Sequence, residues 1–251
     1  MISLRGKAAL VTGGSRGIGA ATALLLAESG ADVGIGYRSR EDAAADVVRQ
    51  IADRGVRGFA QAGDLTTAEG AQTLFERAQR EFGDIDIFVG NAAIWPVEAV
   101  PLAEMSDERW ARTMRHNLES MFLSTRWAAR VVRDGGRIVL VSSTAGQRGE
   151  AMHADYAASK GAMIAFVKSL AIELAPRDVT VNCVAPGWVD TDMATPVYDG
   201  GGREEIAASI PLGRIATARD VAGPIVFLCS PLARHITGEV LNVNGGTVLC
   251  G

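Results

Sequence analysis

Short apolar, β-branched runs alternate with longer segments of helical periodicity along almost the whole chain. Apolar runs of about four to eight residues, bounded by turn residues, read as strands buried on both faces. Strands of that kind separated by helix-length segments need crossover connections. The pattern predicts an α/β protein built on a doubly wound parallel sheet of about seven strands, over 8–12, 31–37, 58–62, 85–90, 136–142, 179–184 and 240–243. Helices are expected near 17–29, 41–54, 67–82, 106–133, 153–175 and 218–229, the fourth broken around His116-Asn117. The run Asp199-Gly200-Gly201-Gly202 interrupts the segment 190–212, which reads as a mobile substrate lid.

Composition narrows this picture. No compositional shift divides the 251 residues, so a single domain spanning 1–251 is expected. The 48% hydrophobic and 22% charged residues fit a globular chain rather than a disordered one. A formal net charge of -4 offers no broad basic field for a phosphate backbone, which argues against nucleic acid as the main partner. No apolar stretch reaches the ~18 residues that span a bilayer, and the first residues lack the regions of a signal peptide, so a cytoplasmic protein is expected. Cys183, Cys229 and Cys250 show neither disulfide nor zinc spacing, and His116, His153 and His235 show no ligand pattern. No metal is expected.

Two motifs carry chemistry. Thr12-Gly13-Gly14-Ser15-Arg16-Gly17-Ile18-Gly19 leaves the first strand and opens the first helix. There the glycines let backbone approach a pyrophosphate, and free helix N–H groups favour an anion. A tight strand-to-helix connection is the plainer alternative. Far along the chain, Tyr156-Ala157-Ala158-Ser159-Lys160 places a phenol and an ammonium one helical turn apart on one face. An ammonium beside a phenol favours phenolate, so the Tyr156 pKa is expected to fall below its free value of about 10. An amphipathic tyrosine packed on a surface lysine is the alternative for the pair alone.

Together, the Gly-x-x-x-Gly-x-Gly turn and Tyr-x-x-x-Lys resemble the short-chain dehydrogenase/reductase family, and the resemblance covers essentially the whole chain. Asp64-Leu65, Asn91-Ala92, Asn117, Ser142-Ser143, Pro186-Gly187 and Thr191 fall in the family's order. The fourth-strand element departs from it, with Gly90 for the first asparagine and Ala93 for the glycine. The resemblance implies a three-layer Rossmann fold and hydride exchange between NAD or NADP and a carbonyl or secondary alcohol. It implies a catalytic set of Asn117, Ser143, Tyr156 and Lys160. In that set Tyr156 moves the proton, Ser143 holds the oxygen, Lys160 lowers the phenol pKa and bonds the nicotinamide ribose, and Asn117 fixes a water leading to Lys160. Ser143 as a turn residue and Asn117 as a partner for backbone at a helix break are the structural alternatives.

The implied cofactor set is Gly13, Ser15, Arg16, Gly17, Ile18, Gly19, Tyr37, Arg38, Asp64, Leu65, Asn91, Ala92, Tyr156, Lys160, Pro186, Gly187, Val189 and Thr191. Tyr37 stands where an acidic residue would select NAD. Arg38 and Arg16 could grip a 2′-phosphate, so NADP (NADPH) is expected over NAD, against ordinary solvated charges. Asp64 is implied at the adenine, Thr191 and the Val189 backbone at the carboxamide; helix capping is the alternative for Asp64 and Thr191. The region from Tyr156 to Asp192 looks most like 3-oxoacyl-[acyl-carrier-protein] reductases, with Arg130, Arg133 and Arg177 candidates for an acidic acyl carrier protein or simply solvated. Trp95 and Trp188 suggest an apolar cleft, or packing, and admit a reductase of another ketone, sugar or secondary metabolite. A non-catalytic NADP-binding regulatory protein is the alternative of another class. The family pattern also implies a homotetramer formed through the helix carrying Tyr156 and the helix over 121–133.

Overall fold

The structure, a computed structural model, describes residues 2–249, so Cys250 lies outside the described residues. Among the described residues nine strands are formed: β1 (Ala8–Thr12), β2 (Asp32–Tyr37), β3 (Gly58–Ala62), β4 (Ile85–Gly90), β5 (Val132–Val141), β6 (Thr180–Pro186), β7 (Val189–Asp190), β8 (Ala216–Thr217) and β9 (Val240–Val243). Seven of them make one parallel sheet in the order β3-β2-β1-β4-β5-β6-β9, while β7 and β8 pair separately. β1, β4 and β6 are buried along their whole length, which explains their largely apolar sequences, interrupted by buried Asp86 in β4 and by Thr180 and Asn182 in β6.

The helices are α1 (Gly17–Glu28), α2 (Glu41–Ala52), α3 (Ala68–Phe82), α4 (Asp107–Met114), α5 (Ser120–Val131), α6 (Thr144–Arg148), α7 (Ala154–Leu174), α8 (Thr195–Val197), α9 (Arg203–Ser209) and α10 (Ala218–Leu228). On one face Leu26, Val47, Ile51, Val221 and Ile225 bring α1, α2 and α10 onto the sheet. On the other, Leu74, Phe75, Met121, Val167 and Leu170 do the same for α3, α5 and α7. Each such side chain contributes about 1.5–3 kcal/mol by leaving water, and the two cores hold the three-layer fold. Among the described residues no helix is long and apolar enough to cross a membrane.

Three expectations need adjustment. The long helix is not broken at His116-Asn117; a π-helical turn over Arg115–Glu119 joins α4 to α5. The same helix stops at Val131, two residues early, because β-branched Val132 enters β5 and registers against Ile85 ahead of a bulge. The glycine run after Tyr198 is a kink between two helical turns, with Gly201 in the left-handed region at φ 88°.

The chain runs outward from β1 through β2 to β3, then returns to lay β4 on the other side of β1. Neighbouring connections at the carboxyl ends of β1 and β4 therefore leave in opposite directions and open a crevice. The glycine turn and Asn91 meet in that crevice.

Candidate active site

Gly13 (φ 65°) turns the chain after β1, where a Cβ would stand 3.0 Å from the Cα of Ala92. At Gly19 a Cβ would lie 2.2 Å from the Gly13 carbonyl oxygen, so a side chain there would push α1 off the turn. The resulting cradle is braced from β4. Asn91 Nδ2 donates to the carbonyls of Thr12 (3.1 Å) and Gly13 (3.3 Å), and Thr12 Oγ1 accepts from the amides of Asn91 (2.9 Å) and Ala92 (3.1 Å). Gly90 now has a reason: a Cβ there would meet Leu140 Cδ2 at 2.7 Å and Met121 Sδ at 3.1 Å.

A cavity of about 240 Å³ runs from this cradle over the ends of β2 and β3. Gly13, Ser15, Arg16, Gly17, Ile18, Tyr37, Arg38, Asp64, Leu65, Asn91, Ala92 and Thr191 all line it, as expected, and so do Arg40 and His116, which the motifs did not mark. Gly19 lies outside the lining and acts through packing. The Asp64 carboxylate accepts from the Thr66 amide at 2.9 Å, which with nearby Arg38 holds its carboxyl below the usual range. The cap of α3 is Thr67, not Asp64. Arg16 reaches across the crevice to Asp192 at 3.3 Å, an exposed pair worth little by itself. A glycine cradle with three guanidiniums beyond it fits a dinucleotide carrying a further phosphate.

A second cavity of about 170 Å³ adjoins the first, the two sharing Ile18, Asn91, Ala93, Thr191 and Met193. Ser143, Tyr156, Lys160, Pro186, Gly187 and Val189 line it. Ser143 caps α6, its Oγ accepting from the Ala145 amide at 3.1 Å, so the turn alternative and a place in the site hold together. α6 lies directly on α7 because Gly146 has no side chain; a Cβ would sit 2.6 Å from the Lys160 backbone carbon. That contact, with the Ser142 hydroxyl donating to the Lys160 carbonyl at 2.8 Å, brings Ser143 to Tyr156. Thr191 does not cap with its side chain, which instead donates to the Val189 carbonyl at 3.5 Å.

The electrostatics reverse one expectation. Lys160 is buried and its Nζ donates to the Val141 carbonyl at 2.8 Å, standing 5.8 Å from the Tyr156 ring centre. Burial raises the Tyr156 phenol above its ordinary value, a hydrogen bond with Ser143 only partly offsets this, and the Glu150 charge adds to the rise. Burial likewise lowers Lys160 to about 8. The spacing placed both groups on one face, but burial, rather than the charge of one on the other, sets both shifts. Tyr156 is thus a neutral phenol at neutral pH, the form that can give a proton.

Asn117 is fully buried in the π-helical turn. Its Oδ1 accepts from the Ile94 amide at 2.8 Å, and its Nδ2 donates to the Ile94 carbonyl at 3.0 Å and to Ser159 Oγ at 3.1 Å. These contacts pin the 94–96 loop to α7, as the structural alternative expects, and are compatible with a water held beside Lys160. Asn117→Ala should lower stability by on the order of 3 kcal/mol, read as a shift in urea midpoint, because it strands both Ile94 backbone groups. An unchanged midpoint with lost activity would show that Asn117 works on the proton path instead.

The fold and the paired cavities define a dinucleotide-dependent oxidoreductase, and the chain belongs to the short-chain dehydrogenase/reductase family. A family model described as enoyl-(acyl carrier protein) reductase matches residues 13–248. The chain is 42% identical over 247 residues to the 3-oxoacyl-[acyl-carrier-protein] reductase of Vibrio cholerae, with 98% of each chain covered. It is 39% identical over 263 residues to a hydroxynaphthalene reductase-like protein of Metarhizium brunneum, covering 98% of this chain and 96% of that one. Among solved structures it is similar to a blue fluorescent protein from a metagenomic library in complex with NADPH. That likeness has a TM-score of 0.92 and 37% identity, over 98% of this chain and 100% of that one.

Proposed function

We propose that the protein reduces a ketone to a secondary alcohol with NADPH, and that 3-oxoacyl thioesters are among its substrates. One observation carries the proposal: Ser143 and Tyr156 line a cavity that shares a wall with the dinucleotide crevice. The thioester assignment is supported by the 42% identity to a 3-oxoacyl-[acyl-carrier-protein] reductase.

When bound, the nicotinamide supplies the hydride. The Ser143 hydroxyl holds and polarises the carbonyl oxygen, and Tyr156 gives that oxygen its phenolic proton. Lys160, anchored on Val141, presents a cation toward the phenolate as it forms and offers a hydrogen bond to the nicotinamide ribose. Asn117 positions α7 against the 94–96 loop. Pro186, Gly187, Val189 and Thr191 form the wall where the carboxamide would rest. The segment 190–212 acts as the lid: Tyr198 donates to the Val189 carbonyl at 3.1 Å and Arg203 pairs with Asp190, while a Cβ at Gly200 or Gly201 would meet nothing within 4 Å.

NADPH is chosen over NADH because Arg16, Arg38 and Arg40 surround the end of β2, where Tyr37 replaces a carboxylate. Arg38→Ala should weaken NADPH binding roughly tenfold or more and leave NADH affinity nearly unchanged, measured by calorimetric titration. Equal weakening of both would show that the arginine is an ordinary solvated charge.

Carrier protein and assembly belong to the same proposal. Arg177 is committed to Asp134 at 2.8 Å and to the Ala129 carbonyl, and Arg133 pairs with Asp86 at 3.7 Å, which leaves Arg130, over the Trp127 ring, as the arginine to meet an acidic carrier. Phe122 on α5 and Ile172 on α7, 44% and 77% exposed, support a homotetramer formed through those helices. Two buried free thiols, Cys183 and Cys229, suit the reducing cytoplasm.

The test is NADPH consumption with a β-ketoacyl thioester, a cyclic ketone, a quinone, a ketosugar and an enoyl thioester. Turnover of ketones but not of the enoyl thioester supports the proposal. Tight NADPH binding without turnover would instead identify a regulatory binding protein. The aromatic wall of Trp95 and Trp188 favours cyclic ketones as a second substrate class.

A further inference from the structure

Beyond Tyr156 the second cavity is walled by Trp95, Trp188 and Met193, and its polar end holds Arg148 and Glu150. The walls are fixed in place. Trp95 and Trp188 meet edge to face at 5.8 Å and 83°, His153 stacks on Trp95 at 5.0 Å, and Tyr198 leans on Trp188 at 6.1 Å. A rigid aromatic wall packs a flat ring with little ordering cost, whereas a flexible acyl chain would lose rotational freedom against it.

Glu150 is the one carboxylate among the described residues lining this cavity. The loop that carries it is held from outside. Met152 takes a left-handed conformation (φ 66°), its carbonyl accepts from the Val100 amide at 3.0 Å, and the His153 amide bonds back to the Glu150 carbonyl at 3.2 Å. The Glu150 side chain, 24% exposed, accepts from the Trp95 indole and stands 3.7 Å from His153 Nδ1. A carboxylate offers about four acceptor sites, and His153 at 3.7 Å lies beyond hydrogen-bond distance, so most of them are open to a ligand. Burial in the cleft raises its carboxyl, and His153, Trp95 and Arg148 pull the other way. With Arg148 on the same wall, an ammonium would meet a like charge, so a neutral hydroxyl is the donor that fits.

Resting on the ketone-reductase reading above, we propose that Glu150 is a specificity-determining residue: it accepts a hydrogen bond from a hydroxyl carried by a cyclic aromatic ketone packed against the Trp95–Trp188 wall.

The test compares 1-tetralone with its monohydroxylated and monoamino derivatives in wild type, Glu150→Leu and Glu150→Gln, each checked for NADPH affinity and melting temperature. In wild type, kcat/KM for the best hydroxytetralone should exceed that for 1-tetralone about tenfold or more. That ratio should collapse in Glu150→Leu and recover in large part in Glu150→Gln, which keeps an acceptor oxygen. Dissociation constants of the hydroxytetralone from the NADP-loaded protein, read by tryptophan fluorescence without turnover, should follow the same order. A ratio near one in wild type, a ratio unmoved by Glu150→Leu, or a preference for the aminotetralones would overturn the inference while the ketone-reductase reading stands. If wild type binds NADPH but turns over no ketone at all, β-ketoacyl thioesters included, both fall. Should Glu150→Leu fail to fold, Glu150→Ala, which also lacks an acceptor, takes its place, and a ratio unmoved in it would overturn the inference.

Discussion

Tyr156→Phe should lower kcat for ketone reduction by about 10²- to 10⁴-fold, with NADPH affinity essentially kept. The substitution removes one hydroxyl from the wall of the second cavity and leaves the dinucleotide crevice as it was. Direction and pH follow from the raised phenol. Reduction needs the phenol, which stays protonated across the neutral range, so Tyr156 itself imposes no decline in reduction between about pH 6 and 9. Oxidation needs the phenolate, and its rate should climb with pH through that range without levelling off. A plateau of oxidation near neutrality would mean that Lys160 does depress the phenol. Full activity in Tyr156→Phe would remove the residue from the chemistry altogether.

Lys160→Met should have the second largest effect, and it should act on stability and activity in opposite senses. Lys160 is 2% exposed, and its Nζ has one hydrogen-bond acceptor, the Val141 carbonyl, so its charge is poorly compensated. Lowering a lysine from 10.5 to about 8 corresponds to a folded state penalised by on the order of 3 kcal/mol at neutral pH. Methionine has the same reach without the charge, so the variant should melt several degrees higher while kcat falls about 100-fold or more. Because the folded-state value is below the unfolded one, the wild-type penalty is complete below about pH 8. It shrinks as pH rises toward 10.5, and the variant's advantage should narrow over that window. Thermal melts at pH 7 and pH 9.5 read this directly. A variant that is less stable at pH 7 would show that Lys160 is a structural ion partner rather than a strained functional one.

Much of this arrangement was legible in the residue pattern. Predominantly apolar, β-branched runs place β1, β4 and β6, because strands covered on both faces show no regular polar alternation. The glycine turn, Asn91 and Tyr156-x-x-x-Lys160 fall where the sheet order brings them together. What escaped has two physical causes. The first is direction: spacing of four gives a shared face, but not that Lys160 donates to Val141, nor that burial then dominates the Tyr156 phenol. The second is distance along the chain. Thr12 braces Asn91 across 79 residues, Gly146 matters only because α7 lies on it, and Trp95 meets Trp188 and His153 from separate loops. Glu150 therefore looks like any loop acid until the fold closes around it. Arg40 was missed for a milder reason, since it lies two residues beyond the strand-end arginine that the pattern marks.

The most direct test follows an atom. NADPH deuterated at the transferring carbon of the nicotinamide, incubated with the protein and a β-ketoacyl thioester or a cyclic ketone, should yield an alcohol whose deuterium sits on the carbinol carbon, and Tyr156→Phe should form that product at least 100-fold more slowly. Deuterium found on a carbon other than the carbinol, or retained in the cofactor while the ketone is recovered unchanged, would contradict a hydride-transferring ketone reductase.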